Sequence, residues 1–520
     1  MKKTTAKTAL FSPRPLHISA LALAMMMSGC AISPHPITSA ERSAQIAQDK
    51  QDMFMGQEAI SGKITLEDAI ARSLKYNLDN RLKLMEEALA TRQLDSANFS
   101  LLPKLTANAG YSTRNNDYGS SSMDLATGKQ SLVPSTSQDR SHTASDLTFS
   151  WNILDFGVSY FQAKQQADQG LVMQERRRKV VQTMTQQVRQ AYWQAVGAQK
   201  LEKEIDVVMN QAEQALNDSR TIEQERLRSP LDSLNYQRQM LDILRQLESI
   251  RDELTQAKPR LASLMNLPPS ADFEVLAPDD SALEVPNVTA SLNDMEELAL
   301  ANRPELLEAS YNERISVNET HKAIARLFPG IEFSASSNYD TNSFLVNDHW
   351  NSTGIRVGWN LFNVLNIGNT KGLAQAQVDV AHNQRLALNM AVLTQVHVAY
   401  RDYLGRKHQF ERNADMTSVD ERILSFTRNA AGASADSRLQ EIRASASALM
   451  SKLRQYQSYG ALQSAYGQIL ATLGVDLLPK TLPSNDLKVL SQAVKQASAE
   501  ADKKFHTIIM TPPSSNKAVK

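Results

Sequence analysis

The sequence predicts a mainly α-helical chain, built twice over from one unit of helix, β-hairpin, long helix, turn and long helix, whose four strands suit a membrane β-barrel. Three observations predict it. An ordered set of features recurs at an offset of roughly 205 to 226 residues. Four segments alternate apolar and polar residues with a period of two. No run of about 20 apolar residues occurs, so a membrane span in this chain has to be made of strands.

The 520 residues are 42% hydrophobic but only 6% aromatic, with Leu and Ala dominant, a balance that favours long helices over β-sandwiches. Lys plus Arg and Asp plus Glu are 56 each, so no basic excess points to nucleic acid and no acidic excess to a solvating tail. The start reads as an export signal over 1–29: Lys2, Lys3, Lys7 and Arg14 precede the apolar Ile18 to Met27, then Ser28-Gly29-Cys30. Cys30 is the only cysteine, and its place at the end of a signal-like segment makes it a lipidation site rather than a buried thiol. Met27-Ser28-Gly29-Cys30 resembles the bacterial lipobox, with Met27 where leucine is usual. Ala31 and Ile32 carry no aspartate-type retention signal, which favours the outer membrane. Residues 30–63 then form an anchored, polar segment.

The first repeat spans 64–290. It opens with the amphipathic Leu66-Glu67-Asp68-Ala69-Ile70 and reaches Asn77. Pro103 in Leu101-Leu102-Pro103-Lys104-Leu105 ends the helical stretch. A strand over about 103–113 follows, with Leu105, Ala107, Ala109 and Tyr111 on one face and Thr106, Asn108, Gly110 and Ser112 on the other. A second strand, about 145–155, sets Leu147, Phe149, Trp151 and Ile153 against Thr148, Ser150 and Asn152. The polar stretch between them, about 113–144, reads as a hairpin loop. From Gly157 the period changes to about 3.6, and long helices run over about 157–265 with a break at Arg226 to Pro230, ending at Leu264-Met265-Asn266-Leu267.

The second repeat, 291–480, repeats the plan. Leu292-Asn293-Asp294-Met295 opens it, Leu327-Phe328-Pro329-Gly330-Ile331 marks strand entry, and strands lie at about 329–339 and 352–363. Trp359-Asn360 matches Trp151-Asn152, and Val396 to Tyr400 matches Val188 to Tyr192. Long helices follow over about 368–474, broken at Ala430 to Ala435. Residues 481–520 read as a flexible tail. Arg176-Arg177-Arg178-Lys179, inside a long helix, reads as a solvated face. Nine scattered histidines with no His-Glu-x-x-His, and no cysteine pair, give no metal or thiol site; the chain is read as non-enzymatic, with no cofactor.

Strands of this length fit a tilted membrane crossing, apolar side to lipid and polar side to a watery lumen. Phe149, Trp151, Phe333, Val357 and Trp359 are then lipid-facing, and Ser150, Asn152, Ser334 and Asn360 luminal. Four strands cannot close a membrane barrel, so several chains have to contribute.

The duplicated order, the two Leu-x-Pro strand entries, the Trp-Asn strands and the paired long helices resemble the TolC family of outer-membrane factors over about residues 64 to 479. The resemblance implies a homotrimer with a twelve-strand barrel continued by a periplasmic α-helical tunnel. It implies an efflux or type I secretion channel working with a periplasmic adaptor (membrane fusion) protein and an inner-membrane pump of RND, ABC or MFS type. The turns between the long helices would be the tunnel tips. There the family carries Gly-Leu followed by Asp; this chain keeps Leu227 and Asp232 at the first tip, with Arg226 at the glycine position, and Gly432 without the leucine at the second. Asp232, Asp436, Arg438 and Glu441 are gate candidates, and Leu227, Ser229, Gly432 and Ala433 adaptor-docking candidates. The alternative reading is a trimeric coiled-coil structural or surface lipoprotein, which would not need four duplicated strands.

Overall fold

The structure is a computed structural model that describes residues 34–131, 133–225, 229–278, 283–430, 435–476 and 486–507. Residues up to Gly56 form one compact unit and those from Gln57 a second. In the first, helix α1 (Ser39–Phe54) starts at a capping box: the Thr38 hydroxyl accepts from the Glu41 amide while Glu41 accepts from the Thr38 amide at 2.8 Å. The stretch read as a polar anchor segment thus includes a capped helix.

The second unit follows the duplicated plan. Helix α2 (Leu66–Tyr76) opens on a Thr65–Asp68 capping box, and Asn77 both ends it and caps α3 (Leu78–Phe99). Strand β1 (Lys104–Thr113), a short hairpin of β2 (Gly119–Ser120) and β3 (Ser135–Thr136), and β4 (Ser141–Asn152) precede α4 (Ile153–Gln224) and α5 (Pro230–Leu264). The second repeat supplies α6 (Leu292–Asn302), α7 (Pro304–Ala325), β5 (Gly330–Asp340), β6 (His349–Gly358), the single turn α8 (Phe362–Leu365), α9 (Ile367–Ala430) and α10 (Ala435–Thr472). At 1.5 Å per residue, the 72 residues of α4 extend about 108 Å.

In both repeats an asparagine side chain after the second strand takes over free amides of the next helical turn, that of α4 in the first and of the single turn α8 in the second. Asn152 Oδ1 accepts from the amides of Leu154 and Asp155, so β4 covers 141–152 rather than 145–155 and Ile153 is helical. Asn360 Oδ1 accepts from the Phe362 amide, and β6 ends at Gly358, short of the expected 363. Trp359 and Asn360 therefore lie beyond the strand, and Trp359 Nε1 donates to the Leu327 carbonyl at 3.0 Å.

Beyond the sheet the helices pack as coiled coils. Buried residues of α4 recur at three- and four-residue spacing (Met184, Val188, Ala191, Ala195, Ala198), answered in α5 by Met240, Leu244, Leu247, Leu254 and Leu261. Each fully buried leucine of this seam contributes roughly 1.5–3 kcal/mol relative to exposure. One core joins α2, α4, α5 and the Ile442–Tyr456 stretch of α10; the other joins α6, α9 and the rest of α10. Within the first repeat, Ile64 pairs with Val275 as a parallel bridge, and the Tyr192 hydroxyl donates to the Leu276 carbonyl at 2.7 Å.

Two sequence readings are corrected. Residues 481–520 are not wholly a flexible tail: α11 (Leu487–Thr507) starts at Asp486, whose carboxylate accepts from the amides of Lys488 and Val489. Its Leu490 and Val494 are buried in the first core, and Ser491 Oγ donates to Asp68 Oδ1 at 2.7 Å. The run 176–179 is only partly a solvated face: Arg176 and Lys179 are exposed, Arg177 and Arg178 half-buried, and all four are ion-paired. Arg176 pairs with Glu308 at 2.8 Å, Arg177 with Glu87 at 2.9 Å, Arg178 with Asp476 at 2.8 Å and Lys179 with Glu305 at 3.3 Å. Consecutive helical residues point about 100° apart, so four in a row fan around α4 and meet α3, α7 and the segment after α10. Arg178 also donates to the carbonyls of Asn302 and Gly474, neutralising two helix C-termini at once.

Candidate channel wall and helix tips

The four long strands form one antiparallel sheet in the order β1-β4-β5-β6. Its register carries the alternation across the strands. Leu105 lies opposite Phe149 and Phe149 opposite Ala335, while Trp151 lies opposite Phe333 and Phe333 opposite Ile355. Thr106, Thr148, Ser336 and Ser352 line up on the other face, as do Lys104, Ser150, Ser334 and Gly354. The part of one face nearer the long helices is thus apolar, with Leu105, Leu147, Phe149, Trp151, Phe333, Ile355 and Val357 all exposed, while toward the loops the same face carries Ser145, Ser337, His349 and Asn351. The opposite face is a layer of hydroxyls and amides bonded to one another: Ser336 Oγ and Ser352 Oγ are 2.7 Å apart, and Asn338 Nδ2 donates to Ser336 Oγ at 3.1 Å. Among the described residues no helix is long and apolar enough to cross a membrane. A sheet with one oily and one wet face is the other way to line a pore.

At the end of the sheet away from the long helices, the two hairpin loops are clasped together. Asn342, buried, accepts from the Asp139 amide at 3.0 Å and donates to the Ser137 carbonyl at 3.1 Å. Ser343 donates its amide and hydroxyl to the Asp139 carboxylate, and His142 Nδ1 sits 2.8 Å from Asp340 Oδ1.

At the other extreme, Ser229 occupies the N-cap position of α5 without a capping side-chain bond, and Pro230 fills the first turn. Asp232 lies in that first turn, where a carboxylate meets the positive end of the helix. Leu231 and Leu234 beside it are exposed. Within one chain Asp232 meets no cation among the described residues. Glu441 does: it stands 3.7 Å from Arg428, across from α9 to α10. Asp436 and Arg438 fall within α10, but their side chains lie outside the described set, as do Leu227, Gly432 and Ala433 and the N-terminal Cys30. Farther along the same helix pair, Lys452 joins Glu421 of α9 at 3.1 Å and Glu204 of α4 at 3.7 Å.

Residues 75–267, which hold α3, β1, β4, α4 and α5, match the model of the outer membrane efflux protein family. The matched stretch is 193 of the 520 residues, and over it the chain resembles that family. Solved outer-membrane channels share the fold at low identity. CmeC of Campylobacter jejuni is 13% identical, with 90% of this chain and 96% of that one covered and a TM-score of 0.62. VceC of Vibrio cholerae is also 13% identical, covering 79% and 96% at a TM-score of 0.58. MtrE of Neisseria gonorrhoeae is 17% identical, covering 77% and 88% at 0.56. No curated protein matches the sequence. The fold described here is thus one shared with solved outer-membrane channels. Sequence reasoning found the four strands but missed the ionic fan at 176–179. Adjacency alone shows that four cations cannot share one helical face, but not which acids meet them.

Proposed function

We propose that three copies of this chain close their four-stranded sheets into one twelve-stranded barrel. The assembly, lipid-anchored at Cys30, would receive substrates from an inner-membrane pump through a periplasmic adaptor. One observation carries the reading: α4 and α9 are equivalent helices at an offset of 208 residues (Val188 and Val396, Tyr192 and Tyr400), yet only α4 is surrounded. Helix α4 packs against α2, α3, α5, α7 and α10, whereas α9 has α6, α7 and α10. The partners α9 lacks are the equivalents of α7 and α10, namely an α3 and an α5 from another copy. The faces that would supply them are apolar and open: Leu82, Met85 and Leu89 on α3, Leu234 and Leu241 on α5, and Val380, Met416 and Ile423 on α9. The sheet makes the same demand, since the outer edges of β1 and β6 are unpaired within the chain and lipid cannot satisfy them. A coiled-coil scaffold lipoprotein would use the helices and leave the two-faced sheet without a purpose.

Light scattering of the full-length protein in detergent should give the mass of three chains, and planar bilayers should show discrete conductance steps. A monomer that conducts nothing would overturn the barrel. The anchor is tested separately: Cys30→Ser should lose the label from radioactive palmitate, and equal labelling of both proteins would remove the lipid from the account. Each acyl methylene inserted contributes roughly 0.8 kcal/mol, so a multi-chain lipid holds the subunit firmly.

A further inference from the structure

We propose that Asp146 sets the ionic preference of the membrane section of the duct, by placing a ring of three carboxylates halfway along the barrel lumen. The inference rests on the barrel reading above. Asp146 is the sixth of twelve residues in β4, and the register puts it on the polar face with Asn108, Asn338 and Trp350 in its row. The charged residues sharing that face are Lys104, His142, Glu332, Asp340 and Arg356. Glu332 lies directly opposite Arg356, and Asp340 is held by His142. Lys104 is four residues along β1 from Asn108, roughly 13 Å from the row of Asp146 and beyond the screening length of about 8 Å at physiological salt.

Asp146 has a different environment. Both of its hydrogen bonds come from neutral donors and both fall on Oδ2: Asn108 Nδ2 at 3.1 Å and Thr148 Oγ1 at 2.7 Å. These bonds fix the carboxylate without discharging it, and no ion pair to Asp146 is formed among the described residues. The adjoining row toward the helices, Thr106, Thr148, Ser336 and Ser352, is neutral. Twelve strands about 4.8 Å apart and tilted about 40° give a backbone radius of roughly 12 Å. A side chain reaching roughly 3 Å inward leaves each carboxylate about 9 Å from the axis, comparable with the screening length. Three such charges attract cations and repel anions at moderate salt, and screening removes the preference at high salt.

The test is the reversal potential of single channels of the full-length protein across a KCl gradient. Asp146→Asn keeps an oxygen acceptor for Asn108 and Thr148, so the sheet is preserved. It should lower the potassium-to-chloride permeability ratio roughly twofold without changing the trimer mass. Asp146→Lys should push the ratio toward chloride, and the ratio of the unaltered protein should fall toward unity as KCl is raised. Trimeric channels of normal conductance whose ratio is the same in all three proteins would overturn the role of Asp146 and leave the barrel standing. Absence of trimers and of conductance in the unaltered protein would overturn the barrel, and this proposal with it.

Discussion

Val172 of α4 and Val380 of α9 stand at equivalent places in the two repeats, but Val172 is 0% exposed and Val380 is 56% exposed. The same contrast recurs lower down, where Val208 and Ala215 are buried and their equivalents Met416 and Ile423 are exposed. The first repeat is completed inside its own chain by the second, while the second keeps an open face that the proposed trimer would fill with another copy. A duplicated unit that winds around an axis buries every internal seam and leaves one open, and in the trimer proposed above that last seam would be the subunit interface. The clearest way to break the comparison is to place a charge at both valines. Val172→Lys buries an unpaired ammonium and should cost on the order of 4 kcal/mol or more, so that the chain fails to fold. Val380→Lys should leave helical content by circular dichroism intact but reduce the scattering mass to a single chain. Normal trimers of Val380→Lys would show that the open face of α9 is not the interface.

The repeats also end their returning helices differently. In the first, Asn266 follows α5 at φ 56°, the Leu267 amide reaches back to the Ala262 carbonyl, and Asn77 Nδ2 takes up the Leu264 carbonyl at 3.2 Å. In the second, Gly474 follows α10 at φ 69°, the Val475 amide reaches the Leu470 carbonyl, and the backbone of Asn302 lies so close that a Cβ on Gly474 would sit 2.5 Å from its carbonyl carbon. The space an asparagine cap uses in one repeat is filled by the end of α6 and the Arg178 guanidinium in the other. Gly474→Ala should therefore cost about 3 kcal/mol, from left-handed strain plus a backbone collision. Asn266→Gly should change stability by only a few tenths. Thermal unfolding of the two variants in detergent measures both; equal shifts would show that the crowding at Asn302 relaxes freely.

A third pair is smaller in effect and bears directly on the interface. A Cβ on Gly197 of α4 would lie 2.9 Å from Tyr456 Cβ of α10, whereas one on Gly405, its equivalent in α9, meets nothing within 4 Å in the chain. Gly197→Ala sets an overpacking cost of about 1–3 kcal/mol against about 1 kcal/mol gained in helix propensity, and should lower the unfolding temperature slightly. Gly405→Ala should stabilise the single chain by up to about 1 kcal/mol. It should lower the trimer yield, because a neighbouring α5 approaches Gly405 as α10 approaches Gly197. A normal yield would place the neighbour farther away than the repeat symmetry requires.

How much of this could be read in the sequence depended on whether a feature was set locally. Leu147, Phe149 and Trp151 alternate with polar neighbours, and Pro103 and Pro329 mark the strand entries, so the four strands and the parity of their faces were legible. The first residues of β4, Ser141-His142-Thr143-Ala144, carry no alternation, and their pairing with Gly110–Thr113 is visible only once β1 is beside them. Trp359-Asn360 read as strand by analogy with Trp151-Asn152, although in both repeats the asparagine acts as a helix cap. Helix α11 was hidden because its apolar positions, Leu487, Leu490 and Val494, are few and lie in a polar stretch. The fan of Arg176 to Lys179 depends on acids up to 300 residues away in sequence, which no local pattern reports.

The smallest expected effect comes from two carboxylates with opposite signs at the seam between the repeats, Glu305 of that fan and Glu175, which stands 3.2 Å from Arg178. Burial opposes the charge of Glu305, but Arg303 at 3.0 Å, its own backbone amide and Lys179 outweigh it and hold the carboxyl below its usual value of 4.5. A depressed carboxylate contributes stability that is present above the unfolded value and is lost as pH falls through the folded one. Burial raises Glu175, with Asp476 and Glu308 acting in the same direction and Arg178 only partly compensating. Its contribution has the reverse sign, present at low pH and lost as pH rises through the elevated folded value. Glu305→Gln should therefore lower the unfolding temperature at pH 7, and Glu175→Gln should raise it, each by the equivalent of about 1 kcal/mol or less. Both differences should shrink as pH is lowered, the Glu175 difference fading first because its folded value is the higher. Melting curves of the three proteins at pH 7, 5 and 4 read this out. A shift of the same sign in both variants would mean that the fan acts through packing alone, with charge pairing between α4 and α7 contributing nothing to how the two repeats are held together.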